Sequence, residues 1–147
     1  MTTASISLRT LDAEEPGDGV RHMQLAASNG EFSGAVEFYT DTEWFGDFAT
    51  ELKNFPQDRS GQALLGIGAR GAASDCYARL RAYLRDELGH AAIEVQFDNL
   101  RTAHHHAEAA FNIFCEVAAV NRLGEDLNLW IANPTKIMIW TPLPERL

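Results

Sequence analysis

The chain has 147 residues, 46% of them hydrophobic, and a formal net charge of -9. That length suits one domain with its own core, and that composition excludes a disordered or fibrous chain. The surplus of carboxylates opposes broad contact with phosphate backbones or anionic lipid, so the expectation is a protein partner of basic character, with no nucleic acid and no membrane.

MTTASISLRT lacks the apolar core of a secretory signal, and no apolar run reaches bilayer-spanning length. Cys76 and Cys115 stand far apart in no metal-ligand spacing. Reduced thiols and a cytoplasmic location follow as expectations, with no disulfide, metal or cofactor.

Residues 5–11 alternate Ile6 and Leu8 with polar neighbours, as a half-buried strand does. Residues 14–19, EEPGDG, have turn chemistry. A second strand is expected over 20–28. Asn29-Gly30 then reads as a hairpin turn, since both residues tolerate positive φ. The return strand, 31–39, would put Phe32, Gly34, Val36 and Phe38 on one face.

The period then changes. Thr40 and Glu43 have capping-box spacing, and Trp44, Phe45, Phe48, Leu52 and Phe55 form a helical stripe that Pro56 stops. Residues 62–70 alternate again through Leu65, Ile67 and Ala69. The segment 76–88 fits either a helix ending at Gly89 or a strand. The strand reading has a partner: with a turn over 86–89, Leu84 faces Ala91, Ala82 faces Ile93, Leu80 faces Val95 and Ala78 faces Phe97. On the other side Arg81 meets Glu94 and Tyr77 meets Asp98. Matched apolar faces and opposed charges favour that hairpin. A strand over 107–117 follows, with Ala109, Phe111, Ile113 and Cys115 inward. A helix over 118–131 carries Val120, Leu123 and Leu127, and a short strand is expected within 136–141. Turns rather than crossovers join most strands. The expected fold is therefore α+β: a single domain over 1–147, with a largely antiparallel twisted sheet of about seven strands and two amphipathic helices packed on it.

This order, with WFGDFATELKNFP as the aromatic helix, YARLRAYLRDELGHAAIEVQFDN as the hairpin and AAFNIFCEVAAVNRLGEDLNLW as the strand running into a helix, resembles small bacterial proteins grouped with the WapI-type immunity proteins of polymorphic toxin systems. The pieces that carry it are the helix stripe, the turn Leu88-Gly89-His90 and the run Leu123-Gly124-Glu125-Asp126-Leu127. It covers roughly residues 5–131, judged by element order, and leaves 133–147 unmatched. The resemblance implies a non-enzymatic module that occludes a cognate toxin. It supplies no catalytic residues.

Candidate chemistry is sparse. His104, His105 and His106 are imidazoles in a row, but neighbours on an extended chain point to opposite sides, so a polar loop is expected, not a metal site. His22 and His90 lack a visible nucleophile or orienter. Asp12, Glu14, Glu15 and Asp18 lack calcium-loop spacing. Gly66, Gly68 and Gly71 lack a dinucleotide or phosphate-loop fingerprint. The contact surface expected is Tyr77, Arg79, Arg81, Tyr83 and Arg85, which line one side of the predicted strand and are of types enriched at binding hot spots. Two other functions stay open: a small-molecule site or enzyme between sheet and helices, and a self-associating protein such as a homodimer.

Overall fold

The structure is a computed structural model that describes residues 3–12, 19–70, 74–134 and 136–142. In chain order its elements are β1 (Ser5–Thr10), β2 (Arg21–Ser28), β3 (Ser33–Thr40), α1 (Gly46–Lys53), β4 (Ala63–Ile67), β5 (Tyr77–Leu84), β6 (His90–Asp98), β7 (Glu108–Glu116), α2 (Val117–Ala132) and β8 (Met138–Trp140). The fold is α+β and antiparallel, as expected. It holds two four-stranded sheets, ordered β3-β2-β1-β8 and β4-β5-β6-β7, in place of one sheet. The helix after β3 carries the chain away before β4 begins, so β3 and β4 become edges of different sheets. Most of the expected acidic turn at 14–19 lies outside the described residues.

The inner faces of both sheets and the buried sides of both helices share one core. Period-two burial builds the sheet side: Ile6 and Leu8 on β1, Leu65 and Ile67 on β4, Leu80 on β5, and Ile93, Val95 and Phe97 on β6. The sheets approach closely at Gly34, where an added Cβ would stand 3.1 Å from the Phe97 ring and 3.3 Å from the Ala109 methyl. A void of about 10 Å³ is all that opens among Leu25, Phe45, Leu80 and Leu123. That is about the size of one water probe, so side chains fill this part of the core.

Two local expectations shift. Phe32 is exposed, because the Asn29 side chain accepts from the Glu31 and Phe32 N–H groups at 2.9 and 2.8 Å and holds Phe32 in the turn. The helix cap is Asp41, not Thr40. Its carboxylate accepts from the Trp44 N–H at 2.8 Å and starts a 3-10 turn over Thr42–Phe45. That tighter turn leaves Trp44 exposed while Phe45, Phe48 and Leu52 are buried.

The helices cross at Gly124. A Cβ there would lie 2.7 Å from the Ala49 carbonyl oxygen and 2.8 Å from the Lys53 nitrogen. Beside it, Asn121 Nδ2 donates to the carbonyls of Leu52, Lys53 and Phe55 at 2.9, 3.2 and 2.8 Å. These carbonyls lie at and just beyond the C-terminal end of α1, where helical partners run out; the Leu52 carbonyl also accepts from the Phe55 N–H at 3.3 Å. Strand β8 is tied down by Trp140 Nε1, which donates to the Ala119 carbonyl at 2.9 Å.

Gly124→Ala is expected to destabilise the fold by about 1–3 kcal/mol through overpacking, although alanine is the better helix former by about 1 kcal/mol. Asn121→Ala should cost about 1–3 kcal/mol, chiefly by removing the donor to the part-buried Phe55 carbonyl. Urea unfolding measures both, and a Gly124→Ala midpoint at or above wild type would refute the close crossing.

Candidate functional site

Burial of Ala78, Leu80 and Ala82 turns Tyr77, Arg79, Arg81 and Tyr83 to the outer face of the second sheet. The expected hairpin register holds at every pair named from the sequence. The outer face can therefore be read row by row. Tyr83 pairs with Ala92 and Ala92 with Phe114; Arg81 pairs with Glu94 and Glu94 with Asn112; Arg79 pairs with Gln96 and Gln96 with Ala110; Tyr77 pairs with Asp98 and Asp98 with Glu108.

Arginines stack on the rings of this face. Arg81 lies 4.4 Å over the Tyr83 ring, Arg85 lies 4.4 Å over the Phe114 ring, and Arg70 lies 5.0 Å over Tyr77. Stacking guanidinium on an aromatic face is favourable and leaves both groups flat against the sheet. The structure thus brings all five sequence candidates together and adds Arg70 and Phe114. Phe114 is 63% exposed. Its position was implied once Phe111, Ile113 and Cys115 were put inward. Arg70 falls at the end of the segment expected to alternate, 62–70, but β4 stops at Ile67, Gly68 turns the chain with φ +68°, and Arg70 lies in the loop beyond.

Charges on this face are largely offset. Arg81 reaches Glu94 at 3.2 and 3.4 Å, and Arg79 reaches it at 3.7 Å. Tyr83 donates its hydroxyl to Asn112 at 2.8 Å, and Arg85 donates to the Ala91 carbonyl at 2.8 Å. Arg81 and Arg85 are held by these hydrogen bonds, and Arg79 is paired more loosely. Fixed side chains lose less entropy when a partner binds.

The remaining candidates separate. His22 stacks on Tyr39 at 4.6 Å and pairs with Glu37. Asp12 pairs with buried Arg21 at 3.0 Å; Glu14, Glu15 and Asp18 lie outside the described residues. His104, His105 and His106 are all exposed and do not converge on one point: the His106 ring reaches Asp98, with Nε2 3.0 Å from Oδ1. A hydrogen bond from the Leu100 N–H holds the Asp98 carboxyl below its usual range; burial opposes that shift, and the Glu108 and His106 side chains add to it. At the β5–β6 turn, Asp86 accepts from the Leu88 N–H at 2.8 Å and meets His90 Nδ1 at 2.5 Å. An open groove of about 390 Å³ beside this turn is lined by Arg59, Arg85, Asp86 and Glu87. Burial pushes the Cys76 and Cys115 thiols up to about 11, the direction that makes a thiol a poor nucleophile. Among the described residues no helix is long and apolar enough to cross a membrane.

No protein-family model matches this sequence, and no curated protein matches it. The fold is similar to the crystal structure of WHY1 from Arabidopsis thaliana, with a TM-score of 0.50 and 10% sequence identity, over 92% of this chain and 87% of that one. At that identity the likeness speaks for the fold alone. It nevertheless corrects the expectation of no nucleic-acid partner, because WHY1 is a nucleic-acid-binding protein. The charge argument does not exclude such a partner, for a physical reason. A net charge averages the whole surface, whereas Arg70, Arg79, Arg81 and Arg85 share one face with aromatic rings. The expectation of a basic protein partner rested on the same average.

Two outcomes test the chemistry of these side chains. First, the Asp86 carboxyl lies below its ordinary 3.8 because of the His90 ring and then the Leu88 N–H. Its contribution to stability is therefore complete above the usual carboxylate range and is lost as pH falls through the lowered value. Asp86→Asn should flatten the decline of the urea midpoint between about pH 5 and pH 2. Second, Cys76 and Cys115 should resist a thiol reagent at about pH 8 until the chain is unfolded; prompt labelling of the native protein would contradict their burial.

Proposed function

We propose that this chain acts by binding, not by catalysis, and that its contact surface is the outer face of the second sheet. The observation that carries this reading is the set of arginine–aromatic stacks on one rigid sheet face: Arg70 with Tyr77, Arg81 with Tyr83 and Arg85 with Phe114. Tyrosine and arginine supply large contact area with few free rotors, and they dominate measured binding hot spots. The partner we favour is a protein, since Glu94 already offsets Arg79 and Arg81 on this face. With the resemblance to WapI-type immunity proteins, the specific proposal is an immunity protein that occludes a toxin domain. We take it to act in the cytoplasm, a reading supported by its two free, buried cysteines.

A second reading is single-stranded nucleic acid on the same rings. Aromatic side chains on a sheet stack bases whatever their sequence, and the likeness to WHY1 favours it.

One variant addresses both. Reversing Arg79 and Arg81 would crowd new carboxylates around Glu94, so Tyr83→Ala with Phe114→Ala is the cleaner probe. Tagged wild type and variant would be used for capture from the native cell, and both titrated with a labelled single-stranded oligonucleotide. The expected result is one co-purifying protein, bound roughly tenfold or more weakly by the variant, as removal of hot-spot rings implies. Circular dichroism checks that the variant stays folded. Oligonucleotide binding that the variant loses would replace the protein with nucleic acid. A protein partner kept by the folded variant would remove this face from the site.

A further inference from the structure

Beta strands rarely place two carboxylates directly opposite each other, because like charges there are destabilising. Asp98 on β6 and Glu108 on β7 are such a pair, and Asp98 is only 5% exposed. The loop between them returns His106 to the same point. Asn99 shapes that loop: its side chain accepts from the Arg101 and Ala107 N–H groups at 3.1 and 3.0 Å and donates to the His105 carbonyl at 2.8 Å. One ligand atom from each of Asp98, His106 and Glu108 lies within 4.8 Å of the others.

We propose that Asp98, His106 and Glu108 form a binding site for a divalent transition metal of the zinc class, with water completing the coordination. The donor set is one imidazole nitrogen and two carboxylate oxygens, which suits zinc and disfavours purely oxygen-seeking calcium or magnesium. Tetrahedral zinc at about 2.0–2.1 Å from each ligand needs donor atoms about 3.3 Å apart. His106 Nε2 and Asp98 Oδ1 are already 3.0 Å apart. Glu108 is half-exposed and can close the remainder by rotation. Asp98 is held in place because its Oδ1 also accepts from the Leu100 N–H at 2.8 Å.

The competitor for this position is Arg70. Its guanidinium faces Asp98 Oδ2 at 3.7 Å and Glu108 Oε1 at 3.5 Å, and its side chain is 56% exposed. These are long, loose ion pairs that a metal can displace. Arginine and metal thus compete for the same two carboxylates, which separates this site from a merely sticky histidine run. The inference shares Arg70, Asp98 and Glu108 with the outer face but does not depend on that face binding a partner.

Calorimetric titration of the untagged chain with zinc tests it. Wild type should bind one equivalent. His106→Ala and Asp98→Asn should each weaken binding about tenfold or more, and Arg70→Ala should tighten it. His104→Ala with His105→Ala should leave it unchanged. Thermal melting with and without zinc gives the same ranking independently and reports whether each variant is folded. No binding by wild type, equal binding by a folded His106→Ala, loss in the His104→Ala, His105→Ala variant, or no tightening in Arg70→Ala would each overturn the assignment.

Discussion

The register of the second sheet is the constraint on which everything functional in this molecule depends. Side chains alternate along a strand with period two, so a slip of one residue exchanges the two faces completely. Ala78, Leu80 and Ala82 on β5, opposite Phe97, Val95 and Ile93 on β6, are buried together only in registers of this parity. Burial of that inner set turns Tyr77, Arg79, Arg81 and Tyr83 outward. The outer pairs reinforce the choice, since Arg81 meets Glu94 only in this alignment. The stability of the core and the layout of the face are thus one fact viewed from two sides.

The same alternation explains how much could be read from the residues alone. Where the pattern was strict and long, as in residues 77–98, the strand pairing was legible residue by residue. Composition favoured helix in 76–88 through its alanines, leucines and arginines, and the matching partner segment outweighed it. Legibility failed where short-range hydrogen bonds decide. Asp41 instead of Thr40 caps the first helical turn, and Asn29 draws Phe32 out of its strand. Division into two sheets was illegible for another reason. It depends on which strands stay unpaired, a property of β3 and β4 together that no local window contains.

The candidate site divides along the same line. Its strand residues follow from periodicity, and Phe114 could have been included on that ground. Arg70 and His106 come from loops, whose paths are set by contacts with the finished sheet. Three adjacent histidines look equivalent in the sequence. Only the fold distinguishes His106, because Asn99 fastens the loop on both sides of it. Net charge is limited in a related way: it is a sum over the chain, while recognition depends on where each charge lies.

Strand β8 pairs with β1, so Ile6 lies opposite Trp140 at the two far ends of the described chain. The second sheet is assembled from neighbouring hairpins and needs only local searches. The first sheet acquires its fourth strand from an element that follows the whole second sheet in the chain. Closing so long a loop is entropically costly, and contacts of such sequence separation slow folding. Until β8 docks, the β1 edge and the inward side of Ile6 and Leu8 are open to other strands. On the ribosome this order would leave the second half of the molecule ready before the first half is complete, an inversion of the usual progress from N-terminus to C-terminus.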